Sequence, residues 1–460
     1  MKINPPKITI DENAPFKEAL FGREEFAKSL TNLIQNVSES LVIFVNAPWG
    51  AGKSTFSEMW RAYLKQQKKE VIYFDAYAAD YFDDPFVSFS GEILALVDKR
   101  LNEGKGLIER REFKKTAIGV GKRLAGLAAK VGLRAITLNA VESAHLEELS
   151  EIATGVSEIG ADVIEKEIEN YTEEKDALKN FKESLAKLAA KIREEQGFPL
   201  TIIVDELDRC RPDFALRLLE RIKHLFDVEG VAFILLVNRN QIESYIRTVY
   251  GNVDADAYLL KFGSLFIDLP NKQPLRSFYY QTGRNEYCQR LYGHYEFSPR
   301  VNDGGFLITC AAIFSDHFDL TLREIEKAFA VMALYFGSLP NNQFANPLLI
   351  ALLSILKIKK PDLYQSLSKG TISVNEFFQQ AEINRLKASD QNFNLDWTKD
   401  ILNYCLMNDT ELATAKNEAA LNNKGDSFGD MGMWIRGNRN QAIPALCWQM
   451  DQFSLLPRPK

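Results

Sequence analysis

A chain of 460 residues with 46% hydrophobic content can bury a large core and form two or three domains. Its formal net charge of −6 argues against a general nucleic-acid binder, a local basic patch aside. Cys210, Cys288, Cys310, Cys405 and Cys447 are scattered without C-x-x-C spacing and the four histidines are dispersed, so neither a zinc site nor a disulfide frame is expected and a reducing cytoplasm is the simplest compartment.

Residues Met1 to Pro6 carry no signal-peptide core. Leu20-Phe21-Gly22-Arg23-Glu24 then precedes an amphipathic helix. The apolar run Leu41-Val42-Ile43-Phe44-Val45 reads as a buried strand, and it leads directly into Ala47-Pro48-Trp49-Gly50-Ala51-Gly52-Lys53-Ser54-Thr55. After a buried strand the chain must turn sharply, and Gly50 and Gly52 permit that turn. Backbone N–H groups from about Trp49 to Thr55 would then converge on a β-phosphate at a helix N-terminus, where the dipole also favours negative charge. Lys53 would reach the β- and γ-phosphates and the Ser54 hydroxyl would ligate Mg²⁺. The pattern G-x-x-x-x-G-K-[ST] is departed from once, since Ala47 replaces the first glycine, a mild change provided that residue has φ < 0.

About 150 residues separate this loop from the next strong strand signal, more than a single crossover needs, so residues 100–195 are expected to house a helical insertion. From Phe113 to Ala140 it has six basic residues and no acidic one; from Glu142 to Asp176 it has twelve acidic and two basic. The basic part reads as an amphipathic, positively charged helix, with no run approaching ~18 uncharged apolar residues. It would meet either a membrane surface or the protein's own acidic face. The acidic part is either a solvated helical face or one arm of a charge-complementary clasp.

Thr201-Ile202-Ile203-Val204 is a continuous β-branched run typical of a central parallel strand, and it ends in Asp205-Glu206. Phosphoryl transfer needs a metal-holding carboxylate and a group that positions water. Asp205 would be the metal-side acceptor beside Ser54, and Glu206 the general base. Val231 to Val237 forms a third buried strand that delivers Asn238 at its end. Beyond Pro270, apolar-periodic stretches at 276–292, 306–317, 321–336, 345–358 and 372–385 predict an α-helical lid and extension, and 386–460 reads as a loop-rich tail.

These residues carry a family resemblance. Pro48 to Ser54, Asp205-Glu206-Leu207-Asp208-Arg209-Cys210-Arg211-Pro212 with the following Leu218 to Phe226, Tyr258-Leu259-Leu260-Lys261-Phe262 before Leu269-Pro270, and Phe74-Asp75-Ala76-Tyr77 with Asp84-Pro85 resemble the KAP family of P-loop NTPases over roughly residues 15–275. The resemblance implies an additional-strand α/β fold, a parallel-sheet P-loop core, that binds ATP and Mg²⁺. It also implies that Gly22 and Arg23, in the Gly-Arg-Glu sequence, flank the adenine, that Asn238 senses the γ-phosphate or the lytic water, and that Arg323 is a lid arginine. Arg209 and Arg211 either act on a neighbouring subunit's nucleotide or pair with Asp208 and Asp213. Other members carry transmembrane helices in the insertion, so peripheral contact with the inner membrane surface through 113–140 is one expectation. Bacterial members include a phage-exclusion protein and components of anti-phage systems, and animal members a large membrane scaffold.

The expected organisation is a P-loop domain at 1–275 containing the insertion at 100–195 (basic 113–140, acidic 142–176), a helical lid and extension at 276–385 and a tail at 386–460. A GTPase would need Asn-Lys-x-Asp, and Asn271-Lys272-Gln273-Pro274 puts proline where the guanine-binding carboxylate belongs. A metabolite kinase would not need Glu206 poised for water, and helicase motifs are missing. Two readings remain: an ATP-hydrolysing switch or assembly factor with protein partners, homo-oligomeric or not, in anti-phage defence, and an ATP-binding scaffold with negligible turnover.

Overall fold

In the computed structural model, residues 2–452 are described except 3, 38, 82–84, 103–175, 177–178, 226, 272–282, 298–302, 340–345, 388–392, 422–427, 429–430 and 436–437. The basic segment 113–140 and nearly all of the acidic segment 142–176 therefore lie outside the described residues.

The strand-forming runs assemble into one parallel sheet. Its strands are β1 (Leu41–Asn46), β2 (Val71–Asp75), β3 (Leu200–Asp205), β4 (Val231–Val237) and β5 (Leu265–Asp268), in the spatial order β2-β3-β4-β1-β5. β4 is the inserted strand between β1 and β3, the additional-strand arrangement. Val204 and Phe44 are both in register with Leu235, so the ends of β1 and β3 emerge on one edge, two strand spacings or about 10 Å apart.

Every residue of β3 and β4 is buried, because both sheet faces are covered. One face carries Val42, Phe44, Ile202, Val204, Phe233 and Leu235 against the helix Pro212–Lys223 and the helix at 179–196, which contributes Phe181, Leu185 and Ile192. The opposite face sets Ile43, Val45, Ile203 and Ile234 against Ala27 and Leu30 of the helix Arg23–Asn36 and against Phe56 and Trp60 of the helix Lys53–Gln66. Burying a side chain of this size contributes roughly 1.5–3 kcal/mol, so these two layers hold the loops at the sheet edge firmly.

The C-terminal half is helical and has its own core. Gly283–Tyr295, Gly304–His317, Leu322–Ser338 and Pro347–Lys359 coincide with predicted stretches, and the last is buried from Pro347 through Lys357. The expected loop-rich tail differs from what is observed: Leu395–Leu406, Asp409–Leu421, Met431–Trp434 and Arg439–Gln452 are helices. Ile401, Leu402, Ile443, Cys447 and Met450 join the same core as the lid helices. Asn394 caps the first of them, accepting a hydrogen bond from Trp397 N, while most of 422–430 and residues 436–437, whose composition suggested loops, lie outside the described residues. No helix among the described residues is long and apolar enough to cross a membrane.

Candidate nucleotide-binding site

The loop after β1 turns through two left-handed glycines, Gly50 (φ 79) and Gly52 (φ 83), and Ala51 N closes a turn on Pro48 O at 3.2 Å. Ala47, buried and donating its N–H to Val237 O, is not among the positive-φ residues, which explains why the first glycine of the pattern can be alanine. Gly50 is fixed for a second reason: a Cβ there would lie 2.6 Å from Arg323 Cβ.

Lys53 opens the helix, is 7% exposed and donates from Nζ to Ala47 O (2.9 Å) and to Asp208 Oδ2 (3.1 Å). The Ser54 hydroxyl donates to Glu206 Oε1 at 2.7 Å, so the loop and the acidic end of β3 meet. Thr55 and Met59, on the same helix, line the adjoining cavity.

Asp205, the last residue of β3, is fully buried. Its Oδ1 accepts Glu206 N (2.8 Å) and its Oδ2 accepts the Tyr73 hydroxyl (3.2 Å). Burial, reinforced by the neighbouring Glu206 charge, raises its pKa from 3.8 to about 6. Glu206 sits at φ 60, a left-handed conformation that a side chain adopts at some strain, and it aims its carboxylate back at Ser54. Its other oxygen takes Arg209 Nε at 2.5 Å.

The oxygen-only set of Ser54 Oγ and the buried Asp205 carboxylate suits a hard cation such as Mg²⁺, which takes few protein ligands beside phosphates and water. Among the described residues no cluster of three or more His, Cys, Asp and Glu is arranged to hold a metal unaided.

Arg23 is almost wholly buried, and its guanidinium clamps the loop from behind: Nη2 donates to Ala51 O (2.5 Å), Nη1 to Gly52 O (3.4 Å) and Nε to Pro270 O (3.3 Å). Among the described residues it has no carboxylate partner, and burial lowers its pKa to about 10. Gly22, at φ 70, begins that helix. Asn238 brings its backbone N–H to Asp208 Oδ2 (2.9 Å), while its side chain does not cap the helix Arg239–Tyr250 that follows.

The lid reaches the loop through the first turn of Leu322–Ser338. Thr321 and Glu324 form a capping box there, and Arg323 N donates to Gly50 O at 3.2 Å. The Arg323 side chain borders a cavity of about 530 Å³ that runs from Gly50 and Gly52 toward Phe21, Tyr287 and Leu291. Arg23, Glu18, Arg290 and Glu326 line it as well, so the cavity joins the lid-facing side of the loop to a wall of mixed apolar and charged character.

Sequence reasoning missed Asp208. It lies just past β3 in the short turn Leu207–Arg209, fully buried, and gathers Lys53, the Trp49 indole N–H (2.8 Å) and Asn238 N on one oxygen. Its position three residues after Asp205 is a weak signal on its own. Of the two pairings considered for the arginines, Asp208 takes Lys53 in place of Arg209, which goes to Glu206, and Arg211 is held by Asp80 (Nε to Oδ1, 3.1 Å).

A sequence profile described as "KAP family P-loop domain" matches residues 23–286. No curated protein matches the chain. Among solved structures, that of the Aeropyrum pernix ORC2 protein in ADPNP–ADP complexes aligns over 97% of this chain and 95% of that one, at 12% identity and a TM-score of 0.33.

Proposed function

Because the chain belongs to the KAP family of P-loop NTPases, we propose that it is a Mg²⁺-dependent ATPase in which nucleotide state sets the position of the helical lid, a switch or assembly factor for protein partners. The observation that carries this reading is the 2.7 Å contact between Ser54 of the phosphate loop and Glu206 at the end of β3, which brings a loop built for phosphates and a carboxylate suited to water into one site.

In this reading the loop amides from about Trp49 to Thr55 hold the β-phosphate, and Lys53, which uses two of its three N–H donors on Ala47 and Asp208, turns the third to the β- and γ-phosphates. Ser54 and Asp205 would hold Mg²⁺, whose charge, when bound, offsets that developing on the transferring group. Glu206 exchanges the Ser54 hydroxyl for a water and orients or deprotonates it for in-line attack, with Arg209 keeping the carboxylate aimed. Asn238 faces the lytic water or the γ-phosphate. Arg323 stabilises the same charge from the lid, and because its backbone is bound to Gly50, movement of the phosphate loop is transmitted to the helices beyond. Arg23, behind the loop, keeps the Ala51 and Gly52 carbonyls turned away from the phosphates.

For the biological setting we put forward bacterial anti-phage defence, on the family resemblance, with a cytoplasmic protein that touches the inner membrane surface through residues 113–140. Phage plating on cells carrying the wild type or Lys53→Ala tests the setting: equal plaque numbers would remove it. For the chemistry, phosphate release with Mg²⁺-ATP is compared between the wild type and Glu206→Gln. A loss of about a hundredfold or more is expected on removing a general base, and equal background release would leave only the scaffold reading.

A further inference from the structure

Asp208 has no role in the chemistry just described, yet it touches the group on which phosphate binding depends. It is fully buried, and its carboxylate is loaded unevenly. Oδ2 accepts Lys53 Nζ (3.1 Å), Trp49 Nε1 (2.8 Å) and Asn238 N (2.9 Å), while Oδ1 is buried with no hydrogen-bond partner among the described residues. A carboxylate kept only to brace the fold would distribute its donors over both oxygens, since a buried oxygen left unpaired is unfavourable. The backbone is fixed as well, because Tyr245 donates its hydroxyl to Asp208 O at 2.9 Å. Trp49 Nε1 and Asn238 N hold the carboxylate itself, so its negative charge stays beside Lys53 when another anion arrives.

An incoming polyphosphate meets Lys53 with this carboxylate already on it, in a place largely screened from water, where like charges a few ångströms apart repel strongly. We propose that Asp208 sets the affinity of the phosphate site: it competes with the nucleotide's phosphates for the Lys53 ammonium, and a bound triphosphate draws Lys53 off it. The inference rests on the ATP-binding reading above. Because Trp49 and Asn238 share the oxygen that Lys53 leaves, occupancy of the phosphate site is registered together at the outer loop, where Trp49 is 44% exposed, and at the end of β4.

The test is equilibrium binding of ATP, ADP and adenosine to the wild type and to Asp208→Asn by calorimetry. The variant keeps the shape and an acceptor oxygen while removing the charge, so ATP should bind about tenfold tighter or more, ADP should gain less, and adenosine should be unchanged. A brace removed from the loop would weaken binding instead, so equal or weaker ATP binding by the folded variant overturns the inference. If the wild type binds no ATP while Asp208→Asn does, the inference holds in its strongest form; if neither binds, both it and the ATP reading fall. Should the variant melt too low to assay, the wild type decides. Trp49 emission, isolated by subtracting that of Trp49→Phe, should move at saturating ATP and stay unmoved with adenosine, and an unmoved emission with ATP overturns the proposal.

Discussion

Replacing Asp205 by asparagine isolates a charge that the fold holds at a penalty. The carboxyl is fully buried at the end of β3, and desolvation first, then the adjacent Glu206, lifts its pKa from 3.8 to about 6. A raised folded-state pKa means that the contribution to stability is fully present below pH 3.8 and is lost as pH rises through about 6, where the group ionises in a place that disfavours charge. The difference of about two pKa units corresponds to at most roughly 3 kcal/mol. The asparagine side chain keeps an acceptor for Glu206 N and a polar partner for Tyr73 but never ionises. In chelator-treated protein at pH 7.5, Asp205→Asn should therefore melt a few degrees above the wild type. That advantage should shrink as pH falls through about 6 and vanish near pH 4. Mg²⁺-ATP should then stabilise the wild type and much less the variant. Thermal denaturation across pH reads both effects, and a variant no more stable than wild type at pH 7.5, or an advantage independent of pH, refutes the reasoning.

Lys53→Ala should abolish tight nucleotide binding, and an unchanged affinity for a labelled ATP analogue would contradict the assignment. Gly50→Ala combines a left-handed φ of 79 with a Cβ placed 2.6 Å from Arg323 Cβ. It should cost about 1–2 kcal/mol in backbone strain alone and push the lid's first turn off the loop, so phosphate release should fall further than stability does; wild-type turnover would show that lid contact is dispensable. Liposomes containing anionic lipid should recruit the wild type more than a variant with Lys122, Arg123 and Lys130 made neutral, and equal recruitment would retire the membrane contact of 113–140.

Legibility followed burial. β1, β3 and β4 announce themselves because helices cover both sheet faces and leave near-continuous apolar runs. β2 alternates between buried and half-buried residues, and β5 has four residues, none buried, so neither stands out from its neighbours. The phosphate loop and Asp205-Glu206 were readable from chemistry that needs those residue types at the ends of strands. Asp208 was not, because its meaning comes from Trp49, Lys53 and Asn238 converging across two other strand ends. Arg23 was visible as part of Gly-Arg-Glu, but a guanidinium whose partners among the described residues are main-chain carbonyls has no side chain in the sequence to search for. The tail's helices were hidden by sparse apolar residues, which pack onto the lid core rather than forming one of their own.

If Glu206 works on water beside an ATP held by the 47–55 loop, its carboxylate is needed for phosphate release and not for ATP binding. Single-turnover phosphate release from Mg²⁺-ATP, measured for wild type and for Glu206→Gln at matched nucleotide occupancy, tests it most directly. Slow or absent release by the variant with ATP still bound is the predicted result; release at the wild-type rate would contradict it.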